Sequence, residues 1–156
     1  MSISAIAVFD SKIKGVVRFT EKDDGVEIEV YLSGLKKNHK HGFHVHEYGD
    51  MSEKCKSMCS HFNPYNKKHG GPHSRERHVG DLGNIQTDEN GNVDFVFTDS
   101  MIKLRGTKSN IIGRGLIIHA DEDDFGLGKF DDSHTTGHAG ARIACAVIGY
   151  SKPKNC

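Results

Sequence analysis

Residues 25–35 read GVEIEVYLSGL, and this stretch decides the fold class of the chain. Its apolar side chains fall on every second position: Val26, Ile28, Val30 and Leu32. Successive side chains of a β-strand point to opposite faces, so this alternation predicts a strand with one face buried in a core. The polar positions between them predict a solvated outer face.

The same period recurs along the chain. Residues 93–97 follow the turn signal Asn90-Gly91 and place Val93, Phe95 and Phe97 on one face. Weaker strand signals lie at residues 4–9, 14–20, 42–48, 102–104, 115–120 and 142–150. About eight short strands without a long helical stripe predict an all-β fold, closed as an antiparallel barrel or sandwich.

Composition narrows the class of protein. A chain of 156 residues fits one domain, and we expect residues 1–156 to form a single one. Lys plus Arg and Asp plus Glu are equal at 21 each, so the zero net charge offers no cationic field for nucleic acid. The start, MSISAIAVFDSK, lacks the features of a signal peptide, and no apolar stretch is long enough to span a membrane. We therefore expect a cytoplasmic protein without a nucleic-acid or membrane partner.

Two long stretches, residues 49–84 and 121–141, interrupt the strand pattern. Loops of this length are uncommon in compact domains and are usually functional. The first contains His61, His69, His78 and Asp81, which form a complete tetrahedral set for zinc with no position left for water. From spacing alone, a flexible polar loop rich in histidine stays the alternative.

More histidines lie in the predicted strands. His44 and His46 are two residues apart, so both imidazoles point to the same face. His119 ends the apolar run GLIIHA, and with His44, His46 and His61 it would form an all-imidazole site suited to copper. Taken one by one, these histidines could equally be surface or strand-end residues.

Five motifs then carry a family resemblance: GFHVHEYGD, HFNPYNKKHGGP, RHVGDLGN, IIGRGLIIHADEDD and TGHAGARIACAVIG. In order and spacing they closely resemble the copper,zinc superoxide dismutases over nearly the whole chain. The resemblance implies an eight-stranded antiparallel Greek-key β-barrel of the immunoglobulin-like sandwich kind, with two long functional loops. It also implies an antioxidant enzyme that disproportionates superoxide to dioxygen and hydrogen peroxide by cycling one copper between Cu(II) and Cu(I), beside one zinc.

The resemblance also implies a role for each site residue. Copper would be bound by His44, His46, His61 and His119, and zinc by His61, His69, His78 and Asp81. The shared His61 would also deliver a proton, and Arg142 would dock superoxide. Asp123 would link a copper histidine to a zinc histidine, and Cys55 and Cys145 would form a disulfide.

The expected partners are superoxide and a second copy of the chain in a homodimer, and the resemblance offers a copper chaperone as a further candidate. The family's chaperone dependence tends to follow prolines near the arginine, where this chain has Ala141 and Ile143, so we expect copper loading without one. Asp121 and Thr135 stand where the vertebrate-type pattern has lysines, which predicts weaker steering of the anion. For the dimer, the expected contacts are Tyr48, Ile112, Gly113 and Ile148.

Two rival functions remain at this point. One is a catalytically silent family member that binds copper, zinc or a chaperone, although the chain retains every ligand position. The other is a structural zinc protein whose site consists of Cys55, Cys59, His61 and His69. That site leaves the remaining histidines of the pattern unexplained.

Overall fold

The computed structural model describes residues 3–156, which contain ten β-strands joined by turns and loops. The strands are β1 Ser4–Asp10, β2 Lys14–Lys22, β3 Gly25–Ser33, β4 Lys40–His46, β5 Ser52–Cys55, β6 Asp81–Gln86, β7 Val93–Asp99, β8 Gly115–His119, β9 Arg142–Val147 and β10 Gly149–Tyr150. A single turn of 3-10 helix, Lys56–Met58, follows β5. Within residues 3–156, no helix is long and apolar enough to cross a membrane.

The strands form two antiparallel sheets. One has the order β10-β1-β2-β3-β7, and the other has the order β6-β4-β8-β9. The chain leaves the first sheet after β3 and returns to pair β7 with β3, which is a Greek-key connection. On one side β1, which lies next to the short edge strand β10, contacts β9, and on the other side β6 contacts β7, so the sandwich is a flattened barrel. The predicted all-β Greek-key fold is confirmed.

The core lies between the two sheets. Each of the alternating apolar residues of β3 is at most 4% exposed, as residues 25–35 predict. The facing sheet contributes Phe43, Val45, Leu116 and Ile118, all fully buried. Burial of such side chains stabilises by about 1.5–3 kcal/mol each, so this core holds the two sheets together and gives β4 and β8 a rigid position.

Two strand predictions are wrong. Residues 102–104 form no strand, because the Asp99 carboxylate accepts the backbone N–H groups of Met101 and Ile102 at 2.9 and 3.0 Å and turns the chain. Conversely, the predicted loop 49–84 contains β5 and the start of β6, which continues to Gln86. Leu82 and Gly83 are adjacent and both buried, so β6 has no alternating pattern to reveal it. Residues 121–141 form turns and bends, as predicted.

Candidate metal centre

Four buried histidines converge beside β4. His44 and His46 lie on β4, His119 ends β8, and His61 comes from the long loop between β4 and β6. One nitrogen of each can be chosen so that all four lie within 4.8 Å of one another. We call these residues the four-histidine group. The pairing of β4 with β8 brings His44 and His46 close to His119, and an isolated bridge between His46 and His61 holds the loop residue beside them.

Every ring in the four-histidine group uses one nitrogen to orient itself. His44 Nε2 donates to Asp123 at 2.6 Å, His46 Nδ1 to the Cys59 carbonyl at 2.7 Å, and His119 Nδ1 to the Gly140 carbonyl at 3.1 Å. The other nitrogens are buried and find no hydrogen-bond partner in residues 3–156: His44 Nδ1, His46 Nε2, His61 Nε2 and His119 Nε2. Unpaired buried nitrogens are costly, so this set fits a metal that accepts imidazole ligands, as copper does.

A second group shares His61 and adds His69, His78 and Asp81. Asp81 Oδ1 lies 3.0 Å from His61 Nδ1, 3.0 Å from His69 Nδ1 and 3.2 Å from His78 Nδ1. Ligands held about 2.0–2.1 Å from a tetrahedral zinc are spaced about 3.3 Å apart, so these atoms fit one zinc ion. We call these residues the three-histidine-one-aspartate group.

The two groups are connected twice. His61 contributes Nδ1 to the second group and keeps Nε2 for the first. Asp123 is the other connection, because it accepts from His44 Nε2 with Oδ2 and from His69 Nε2 with Oδ1, at 2.6 and 2.7 Å. Its carboxylate therefore fixes the orientation of one ring in each group.

Burial and charge set the protonation of these rings. Burial lowers the pKa of His61 and of His119 to about 4, and it lowers the pKa of His44 and His46 well below the usual value. These four rings are therefore neutral at pH 7 and able to bind a metal. Burial also opposes the charged form of His69, but hydrogen bonds to Asp123 and Asp81 outweigh it and raise its pKa to about 9.

Arg142 lies at the start of β9, beside the metal groups. Its Nη1 donates to the Cys55 carbonyl at 2.8 Å and its Nη2 donates to the Cys59 carbonyl. The predicted disulfide between Cys55 and Cys145 is confirmed, and it attaches the first long loop to β9. Arg142 and His61 line one open cleft, so an anion that enters meets the guanidinium next to the four-histidine group.

Comparison with known proteins decides the family. A family model described as copper/zinc superoxide dismutase matches residues 13–148. The chain belongs to the copper/zinc superoxide dismutase family. It is 59% identical over 154 residues to a Cu-Zn superoxide dismutase of Paramecium bursaria Chlorella virus 1. The aligned residues make up 99% of this chain and 82% of that protein. It is 49% identical over 158 residues to an extracellular Cu-Zn superoxide dismutase of Drosophila melanogaster, covering 96% and 86% of the two chains.

A solved structure shares the fold of this chain. The crystal structure of the clock protein EA4 matches with a TM-score of 0.92 and 45% identity, over 95% of this chain and 94% of that one. The chain is therefore an oxidoreductase that converts superoxide to dioxygen and hydrogen peroxide, with copper and zinc as cofactors. The silent alternative is not favoured. The structural zinc protein is excluded, because Cys55 is oxidised to a disulfide.

Some residues around the site carried no signal in the sequence. The carbonyls of Cys59 and Gly140 orient His46 and His119, but any residue type has a carbonyl. Several cations also line the cleft: Lys67, Lys68, Lys108 and Arg114. Only the position of Lys67 and Lys68 directly before His69 could have placed them near the site.

Gly137 gives a test of the Asp123 connection. It has a φ of +71°, and a Cβ added there would overlap Asp123 Oδ1 and crowd His69 Nε2. We expect Gly137→Ala to push Asp123 away from His69 and to weaken metal binding about 10–100-fold, as loss of a partner of a metal ligand does. Competition with a chelator measures the affinities for copper and zinc.

Gly106→Ala is the matched control for this variant. Gly106 has a φ of +79° with no atom within 4 Å of an added Cβ, so it carries the same backbone strain in open space. We expect it to lower stability by about 1 kcal/mol and to leave metal affinity unchanged. Equal metal affinities in the two alanine variants would contradict the role given to Asp123.

Proposed function

We propose that the four-histidine group binds the copper of this enzyme and that the three-histidine-one-aspartate group binds its zinc. The observation that carries this assignment is the difference between the donor sets: the first group offers four imidazole nitrogens, and the second is a closed tetrahedron that contains a carboxylate. When bound, copper supplies alternating one-electron oxidation and reduction of superoxide. The closed second group has no position for substrate and serves to order the loop.

The protein residues would then divide the remaining tasks. Arg142 lines the cleft and is fixed by the carbonyls of Cys55 and Cys59, so it would hold the anion in a constant place. His61 Nε2 is the atom that would carry a proton toward the reduced substrate. Asp123 would keep the rings of His44 and His69 in a fixed relative orientation during the reaction.

Removal of one unshared ligand from each group tests the assignment. We expect His46→Ala to lose copper and keep zinc, and we expect His78→Ala to lose zinc and keep copper, because neither residue belongs to both groups. Metal content after reconstitution and dialysis, measured by mass spectrometry, reads out both. A reversed pattern would show that the two metals have been assigned to the wrong groups.

We propose that lysines of the cleft recruit superoxide in a chain that lacks lysines at Asp121 and Thr135. Among the described residues, no carboxylate forms an ion pair with Lys67, Lys68 or Lys108. We expect Lys67→Gln/Lys68→Gln/Lys108→Gln to lower kcat/KM about tenfold at low salt and to flatten its dependence on ionic strength, because rim charges act on association.

The control removes the same charge elsewhere. Lys14, Lys37 and Lys154 are exposed and lie outside the cleft. Their triple change to glutamine should leave the salt dependence of kcat/KM as in the parent. Equal slopes for the two triple variants would contradict recruitment through the cleft lysines.

We also propose that the chain is a homodimer. Tyr48 is 50% exposed and Val147 is 39% exposed, and Gly49 lies against Val147 and the Gly113 carbonyl, so these residues share one surface with the half-buried Ile112. Ile148 was expected to contribute to this contact, but its side chain is fully buried and Val147 takes its place. A monomeric mass in solution at micromolar concentration would contradict the dimer.

Compartment and copper supply belong to the same proposal. We infer a cytoplasmic, single-domain enzyme. The exposed thiols of Cys59 and Cys156 are free in the described part of the chain and suit a reducing compartment, whereas the Cys55–Cys145 disulfide is of the kind that an oxidising compartment favours. Cell fractionation tests this against secretion, which the name of the Drosophila relative indicates for that protein. Active enzyme from cells that have copper but lack a chaperone would support independent loading, and inactive enzyme would show a chaperone requirement.

A further inference from the structure

The strand that ends at His119 loses its regular hydrogen-bond ladder at that residue. The pairing of β8 with β9 shifts register between Ile118 and His119, and the last partners of β4 and β8 are Phe43 and Ile118. Beyond them, the Gly42 N–H donates to the carbonyl of Asp121 at 2.8 Å. The carbonyls of residues 119 and 120 therefore need donors from outside the ladder.

Two imidazoles supply these donors. His41 Nδ1 donates to the His119 carbonyl at 2.7 Å, and His39 Nε2 donates to the Ala120 carbonyl at 2.9 Å. The two rings meet edge to face, with centroids 4.7 Å apart. We call His39 and His41 the histidine clamp. The clamp binds the carbonyls of residues 119 and 120. The N–H groups of the same two peptide units, from Ala120 and Asp121, donate to the carbonyls of Ala141 and Ala139.

His39 has a fixed position although its side chain is only half-buried. Its N–H donates to Thr87 Oγ1 at 2.9 Å, and the Thr87 N–H donates back to the His39 carbonyl at 2.9 Å. Thr87 is itself buried, with 3% exposure, and directly follows the last residue of β6. The ring is therefore presented to Ala120 from a rigid base, whereas the neighbouring Lys40 is exposed.

The clamp matters because the hydrogen bond that orients the His119 ring is longer than those that orient His44 and His46. Its Nδ1 lies 3.1 Å from the Gly140 carbonyl, whereas the corresponding bonds of His44 and His46 are 2.6 and 2.7 Å. The direction of the ring thus depends on the backbone at residues 119 and 120. We propose that His39 is a positioning residue that holds this backbone and so aims His119 Nε2 at the copper; the inference rests on the copper assignment proposed above.

The test compares copper binding in holoenzyme variants. We expect His39→Ala to release copper to a competing chelator about 3–10-fold more readily, less than the about 10–100-fold loss for a direct partner of a ligand, and to change the Cu(II) electron paramagnetic resonance spectrum. His39→Gln can place an amide N–H near the position of Nε2 and should restore both properties. Lys40→Ala, which removes an exposed ion pair with Glu122, should match the parent.

The outcomes distinguish a positioning role of His39 from a merely structural one. If His39→Ala keeps the parent's copper affinity and spectrum, His39 is merely structural and the inference is overturned, even if the melting temperature falls. Should the alanine variant fail to fold, His39→Asn removes the same bond, because its amide is too short to reach Ala120. His119→Ala in the same titration separates the two proposals: if that variant binds copper normally, the copper assignment has failed instead.

Discussion

His119→Ala is expected to lower superoxide dismutation at least about 100-fold, more than the loss of a residue that only supports a metal ligand. The change removes one of the nitrogens that converge in the four-histidine group and leaves an incomplete site. The side chain ends β8 and contributes no apolar surface to the core, so the fold should persist. Direct decay of superoxide, followed in protein reconstituted with both metals, gives the activity.

The control for this prediction is His73→Ala, which removes an exposed histidine of the first long loop that belongs to neither metal group. It should retain full activity. Circular dichroism and the melting temperature establish that both variants are folded. Activity retained in His119→Ala would remove His119 from the copper site. No activity in the parent at full copper and zinc content would favour the silent, metal-binding function.

Asp99→Ala is expected to lower the free energy of unfolding by about 3–5 kcal/mol, because it leaves the charge of Arg77 buried without its partner. Arg77 and Asp99 are 4% and 3% exposed, and Arg77 Nη1 lies 2.7 Å from Asp99 Oδ1. Arg77 also donates to the carbonyls of His78 and Val79, at 2.9 and 2.8 Å. Loss of Asp99 should therefore also weaken zinc binding through His78.

Urea unfolding of the metal-free protein with its disulfide intact measures the first effect, and zinc competition with a chelator measures the second. Asp99→Asn is the matched control, since its side-chain oxygen can still accept the N–H groups of Met101 and Ile102. It should be less destabilised than the alanine variant. A loss below about 1 kcal/mol in Asp99→Ala would mean that the buried pair contributes little, as surface pairs do.

Sequence patterns predicted the strands that bury one face in the core and expose the other. The alternation in β3 follows from a core on one side only, so it was visible without coordinates. In β7 the same pattern overstated burial, because Val93 is buried but Phe95 is 46% exposed. β6 escaped because Leu82 and Gly83 are adjacent and both buried, which erases the alternation. The strand predicted at residues 102–104 was wrong although its pattern was real. Ile102 and Leu104 are buried as a strand would bury them, but Asp99 turns the chain.

The candidate site was predicted to the extent that side-chain chemistry reveals it. Histidine and aspartate are recognisable as ligands, and the structure does bring both predicted sets together. Which metal each set holds stays a prediction. The orienting groups were not predictable, because the carbonyls of Cys59 and Gly140 depend on backbone course alone. The same holds for His39, whose partner carbonyl is 81 residues away in the chain.

The double connection between the metal groups has a consequence for assembly. Because His61 and Asp123 both link them, the two groups and their linkers form a closed ring that involves both long loops. The first ion to bind must bear most of the entropic cost of ordering those loops, and the second then meets a preformed cradle. Metal loading should therefore be cooperative: the ion that binds first raises the affinity of the other group for its own ion, so a shortage of one metal in the cell would also lower the affinity for the other.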